Sequence, residues 1–519
     1  MDLFTRKSRF YLLAFLRHDL KASVTVFFVA LPLCLGISLA SGAPVYSGLV
    51  AGIIGGLLVS LLSGSQLSVA GPAAGLTAIC ASAITDLGAP EVFFLSVMIA
   101  GLLQLLLGVF KLGGFTHFIP SAVIKGMLAA IGVILISKQV PLLIGYGKPD
   151  FWRNELFNII TFNHAFSHIK DLVKSITSGV IFISILSFVV LQIWETLVPK
   201  KWHLLPTSFL IVIFGTLMAL FWKYFVPSLA LSEEQYVSMT ANLFAQVRLP
   251  DFSELFQHAE IWKYAVIMAV VASLETLLSI EAIDKLDPYN RITPQNRELV
   301  AQGTANAVSG LLGGLPITAV IVRSSANAEA GARTKLSAFA HGAWLLLLSL
   351  LAVPLLNKIP YCALAVILIR TGYQLAKPSR IKAIWRQGRE QFLPFMVTVV
   401  AILFTDLLIG VGIGLIYAIW YIIKHTYRAG LTVREKQEGH IHRYDIQLAL
   451  NVSFLTKKKL LIFLDRIPAY AHVCVDGTDS VYIDHDILEI LHDFRAKAHH
   501  RHIKLDYKGI PDVDSIELH

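Results

Sequence analysis

Two charged residues stand where charge is costly. Glu275 sits in the run Val-Ala-Ser-Leu-Glu-Thr-Leu-Leu-Ser, residues 271–279, and Arg323 follows Ala-Val-Ile-Val, residues 319–322. If these runs lie in a bilayer, each charge costs at least about 2.5–3.5 kcal/mol and needs a partner or a task. Arginine keeps its proton, so Arg323 offers a fixed positive charge that attracts an anion. Glu275 can titrate or hold a coupling cation, with the Ser279 hydroxyl one helical turn along on the same face. The plainer alternative is an ion pair between the two. Glu329 lies further along the run that Arg323 heads. Lys125 lies toward the end of an apolar run, where snorkelling explains it, and Asp86, Lys138, Arg370 and Asp406 also lie toward such ends.

The chain around these residues reads as a membrane protein. It is 55% hydrophobic and 15% charged, against about 25% charged in soluble proteins. That excludes a soluble or a disordered chain. Spans of suitable length fall near 22–41, 46–63, 72–87, 91–111, 117–145, 175–198, 203–225, 262–283, 297–313, 324–335, 337–356, 359–375, 391–407 and 409–426. The expected organisation is a cytoplasmic segment 1–21, a transmembrane domain 22–427, a linker 428–437 and a small soluble α/β domain 438–519. Fourteen crossings put both termini on one side. With that side cytoplasmic, the inner connections collect Lys111, Lys200, Lys201, Lys285, Arg291, Arg297, Arg333, Lys335 and the cluster Lys377–Arg389, as the positive-inside rule requires. The net charge of +9 is therefore a topology signal and not a nucleic-acid footprint. Cys34, Cys80, Cys362 and Cys474 show neither metal nor disulfide spacing.

Spans 3 and 10 are too short to cross as whole helices. Each follows an extended stretch, Gln66–Ala70 and Thr318–Val322, and each is the third of seven. Seven is odd, so the second half is inverted relative to the first. Paired broken helices in corresponding positions point to a transporter binding site. The first short helix is expected to begin at Pro72 and the second near Ser324. Their N-termini then converge near the midplane, where free N–H groups and helix dipoles suit an anion. Pro32 is expected to break span 1, leaving Leu33–Ile37 as an apolar wall of the site.

The stretches Leu67-Ser68-Val69-Ala70-Gly71-Pro72-Ala73, Asn296–Asn306 and Arg323–Thr334 resemble SulP-type anion transporters. The resemblance covers nearly the whole chain. It implies a seven-plus-seven inverted repeat with a core domain (spans 1–4 and 8–11) and a gate domain, a homodimer, elevator-like movement and a trailing STAS domain. It places the anion against Ile37, Ala70, Gly71, Ala73, Val322, Arg323, Ser324 and Ser325, with Glu275 beside them. Ala73 and Val322 are less polar than the residues of many relatives, so backbone N–H groups would carry more of the coordination.

The expected activity is secondary transport of a small inorganic anion, bicarbonate or sulfate, coupled to Na⁺ or H⁺ through Glu275 in a bacterial inner membrane. The alternatives are a nucleobase–cation symporter of the same architecture and, from another class, an anion channel. No enzyme motif, cofactor or metal site is found, apart from Na⁺ as a coupling ion. The tail reads as an abbreviated STAS-like domain available for a cytoplasmic protein contact. Asp486 stands where regulatory STAS domains carry a phosphorylated hydroxyl, and it is expected to cap the helix from Ile487. His492, His499, His500 and His502 read as a solvated face.

Overall fold

The computed structural model describes residues 6–114, 120–145, 176–197, 206–239, 248–255, 258–405, 407–429, 431–438 and 441–511. Residues 146–174 of the expected outer connection, Lys200, Lys201 and Asp406 lie outside them. The chain divides into two compact units, Met1–Val411 and Gly412–His519.

The first unit is helical because its apolar runs are long, and the prolines inside them, Pro32, Pro141 and Pro394, do not end their helices. Its helices are α1 (Arg6–Ala40), α2 (Val45–Leu62), α3 (Thr77–Leu87), α4 (Pro90–Val109), α5 (Ser121–Leu143), α6 (Ser178–Leu197), α7 (Thr207–Phe225), α8 (Ala259–Asp284), α9 (Gln295–Leu311), α10 (Ile321–Glu329), α11 (Leu336–Leu351), α12 (Tyr361–Leu375), α13 (Pro378–Arg386), α14 (Arg389–Phe404) and α15 (Leu407–Ala429), the last running into the second unit. Among the described residues seven helices are long and apolar enough to cross a membrane. Prolines set several starts: Pro44, Pro120, Pro206, Pro294 and Pro360 each precede a first turn, where a missing N–H costs nothing.

Two expectations for α1 are corrected. It begins at Arg6 and not at 22, and Pro32 lies inside it without ending it. The extension has a fixed anchor. Asp19, fully buried, accepts hydrogen bonds from the backbone N–H groups of Arg333 (2.7 Å) and Thr334 (3.1 Å) and from the Thr334 hydroxyl.

Glycines set the closest helix contacts. α4 and α9 pack so tightly that a Cβ on Gly101, Gly303 or Gly310 would lie 2.2–2.3 Å from backbone nitrogens of the facing helix. Small residues are what let membrane helices approach this closely. α2 carries a π-helical turn, Gly55–Val59. It aims Gly55 at the Ala70 carbonyl and Gly56 at Gly342 of α11.

In the second unit a four-stranded sheet has the order β3-β4-β5-β6, where β3 is Leu431–Glu438, β4 Ile441–Leu448, β5 His472–Asp476 and β6 Lys504–Lys508. β3 and β4 are antiparallel and the other neighbours parallel. Helices α16 (Lys457–Arg466) and α17 (His485–Ala498) supply Leu460, Leu464, Ile487 and Leu491 to its core. Residues 428–437, expected as a linker, hold the end of α15 and most of an edge strand. The cap of α17 is also corrected. Asp484 is the N-cap and accepts from the Asp486 N–H, while Asp486 sits in the first turn and pairs with Lys457 at 3.2 Å.

Candidate anion site

The site is built where two short strands cross. β1 (Ala70–Pro72) and β2 (Ile317–Ala319) pair antiparallel, with Ala70 opposite Ala319, Gly71 opposite Thr318 and Pro72 opposite Ile317. Each strand runs into a helix: β1 through the 3₁₀ turn Ala74–Leu76 into α3, and β2 directly into α10. Antiparallel strands followed at once by helices send those helices away in opposite directions. The extended stretches are displaced from expectation, since the first lies later and the second ends earlier. The second helix therefore starts at Ile321, with Arg323 in its first turn. α10 has nine residues, or about 14 Å, less than half a hydrocarbon core. No side chain caps either helix start, whose flanking residues are Ala73 and Val320.

Irregular backbone at this depth must be satisfied by protein. Asn306 does most of this on one side. Its Nδ2 donates to the Ile317 carbonyl (3.0 Å) and to Gln104 Oε1 (2.8 Å), and its Oδ1 accepts from the Ile317 N–H (2.5 Å), so its amide replaces a missing strand neighbour. The Thr276 hydroxyl accepts from the Ala319 N–H at 3.3 Å. From α10, Ser324 accepts from the Val69 N–H (2.9 Å) and Asn327 donates to the Leu67 carbonyl (3.0 Å). Asn306 and Asn327 lie inside the motifs quoted above, but spacing alone gave neither a role.

The two charges flank the start of α3. Arg323 is fully buried. Its Nη2 lies 3.4 Å from Cys34 Sγ, and its Nε and Nη1 have no partner among the described residues. The guanidinium lies against Gly71, where a Cβ would be 2.1 Å from Nη1. The Glu275 carboxyl lies against Gly75, where a Cβ would be 2.8 Å from Oε2, and Oε2 has no partner among the described residues. Among the described residues neither charge is in an ion pair, so the pairing alternative is not realised here.

Ile37, Ala70, Gly71 and Ala73 are buried around this point, and Val322 and Ser325 are partly exposed on α10. Ser324 is committed to the strand–helix joint through Val69. Ser279 is buried, and no hydrogen bond joins it to Glu275 among the described residues. Cys34, which its apolar surroundings concealed, touches the arginine. A cavity of about 860 Å³ leads from Lys21 to Leu33 and Val322, between α1, α6, α7, α10 and α12; Arg323, one residue beyond Val322, does not line it. The arrangement can hold a small dehydrated anion between a fixed cation and two open helix starts, with a carboxyl close by.

A sequence model described as the sulfate permease family matches residues 16–398. The chain belongs to the sulfate permease family. Relatives of this permease include the putative sulfate transporter YvdB of Bacillus subtilis (strain 168), 27% identical over 84% of this chain and 79% of that protein. The bicarbonate transporter BicA of Picosynechococcus sp. (strain ATCC 27264 / PCC 7002 / PR-6) is 26% identical over 78% of this chain and 69% of that protein. In fold the permease resembles the transmembrane domain of a cyanobacterial BicA, with a TM-score of 0.65 and 23% identity over 77% of this chain and 98% of that one. It also resembles SLC26A9, with a TM-score of 0.76 and 14% identity over 97% and 86%. The permease is an integral membrane transporter and not an enzyme, with a small C-terminal sheet region.

Proposed function

We propose that the chain is a secondary transporter of a small inorganic anion, with bicarbonate and sulfate as the candidates, and that Glu275 couples the movement to Na⁺ or H⁺. The observation that carries this is Arg323: a guanidinium with no exposure and, among the described residues, two unpartnered nitrogens, at the meeting point of two uncapped helix starts. A buried, unpaired cation is too costly to keep unless an anion visits it. The same residue disfavours a neutral nucleobase as cargo.

Fourteen crossings in two inverted halves of seven, both termini cytoplasmic, a homodimer and elevator-like alternating access complete this reading. The pairing of helices supports the repeat: α1 packs on α11 as α8 packs on α4, and α2 on α11 as α9 on α4. Each match exchanges a helix for its counterpart seven positions away. The C-terminal unit reads as an abbreviated STAS-like domain that serves assembly or a cytoplasmic protein contact.

The test is reconstitution of the full chain in liposomes. Labelled sulfate, bicarbonate and uracil are offered under Na⁺ or proton gradients. Saturable uptake of an anion driven by one gradient is expected. Uptake of uracil alone, or none of either anion, would overturn the proposal.

A further inference from the structure

The cavity that reaches Val322, one residue before Arg323, has four charged groups on its wall: Lys21 of α1, Glu329 of α10, Glu195 of α6 and Arg370 of α12. Two are cationic and two anionic, an unexpected balance for a route that an anion must travel. Arg370 and Glu195 are bound to each other. Arg370 Nε donates to Glu195 Oε1 at 2.8 Å and Nη2 to the same oxygen at 2.5 Å. Arg370 also reaches the Gln374 amide oxygen at 2.8 Å, in the amide orientation that satisfies both groups. α6 and α12 pack on one another, so the pair belongs to a single wall.

An anion path works when sites attract enough to admit the ion and too little to trap it. An unpaired guanidinium in the vestibule would compete with Arg323 for the cargo. A lone carboxylate there would repel it, and low-dielectric walls would strengthen either field. We infer that the Glu195–Arg370 pair is a charge-balanced filter that sets how strongly the vestibule attracts the anion on its way to Arg323. Glu195 is a positioning residue: it acts on the cargo by compensating Arg370. This rests on the anion-transport reading above.

The test measures KM in sealed proteoliposomes separately for anion presented on the Lys21 side and on the opposite side. Glu195→Gln is expected to lower the Lys21-side KM roughly tenfold. Arg370→Gln is expected to raise it by a similar factor, and the double variant to return it near the wild-type value. The opposite-side KM stays unchanged in all three, and Glu195→Asp restores the original value. A merely structural pair would instead lower kcat or move both KM values, and its two changes would not cancel. Either result overturns the filter. Should a pair variant fail to assemble, Ser208→Lys and Ser208→Glu, on the same cavity wall, probe the same field without touching the pair. They are expected to shift the Lys21-side KM down and up, and no shift in either rejects the filter. Absence of anion uptake by the wild type counts against the transport reading; normal wild-type uptake with unmoved KM values counts against the filter alone.

Discussion

At the scale of single residues, two charges and two glycines define the site. Arg323→Ala is expected to raise the apparent KM for the anion at least tenfold, about 1.4 kcal/mol, with normal amounts of assembled protein. An unchanged KM would make the arginine structural. Glu275→Gln should abolish gradient-driven accumulation while leaving counterflow exchange, and undiminished accumulation in that variant would reject its coupling role. Both residues were legible in the sequence because charge in an apolar run is rare and costly. Cys34 was not, since its significance comes only from an arginine that meets it across the fold at 3.4 Å. Ser324 was legible as a neighbour of the site, but not as a hydroxyl already occupied by Val69. One-dimensional order cannot tell a side chain facing the cavity from one facing the adjoining strand.

At the scale of elements, the crossing of β1 and β2 depends on Asn306. Asn306→Ala would leave the Ile317 N–H and carbonyl and the Gln104 amide without this partner in a buried place. A loss on the order of 3 kcal/mol follows, read as a lower melting temperature of the purified protein. An unaltered melting temperature would show that other groups hold β2. The broken spans were visible in the sequence as short, punctuated apolar segments. Their helix starts were misplaced by a few residues because strand and first turn share the same apolar residues. The early start of α1 was invisible, since Asp19 finds its partners at Arg333 and Thr334. The loop after α8 gives a pH prediction. Burial alone would raise the Asp287 carboxyl, but hydrogen bonds and charge from Arg291 and the Tyr289 N–H hold it below the usual aspartate range. A depressed value adds stability above the unfolded pKa and loses it as pH falls through the folded one. Asp287→Asn should therefore flatten the loss of thermal stability below about pH 4. An identical acid profile in the variant would remove Asp287 from the account.

At the scale of the whole molecule, membrane character and the two-part organisation followed from composition, because apolar runs and mixed charge separate cleanly along the chain. The boundary was less legible. The stretch of mixed charge after α15 read as a linker, yet it pairs with β4 as a full edge strand. Two truncations are therefore expected to differ. A chain ending at Ala429 removes the sheet whole and should assemble in reduced amount with unchanged anion preference. A chain ending at Gln437 keeps an orphan strand with both edges unpaired and should aggregate more, as read by size-exclusion chromatography. Equal behaviour of the two, or a changed preference in the first, would show that the sheet has another role.

The π turn in α2 amounts to one residue more than an α-helix would fit into that stretch. Excising a single residue, Leu57 or Leu58, would let the coil relax to its ordinary pitch, and because the turn holds one residue in excess, the coil on either side would keep its facing. Ser63, which donates to Glu298 of α9, would then still face it. Loss of one codon inside this turn should thus leave more assembled protein than the same loss at Leu102, in the regular coil of α4, where everything beyond the cut would rotate by about 100°.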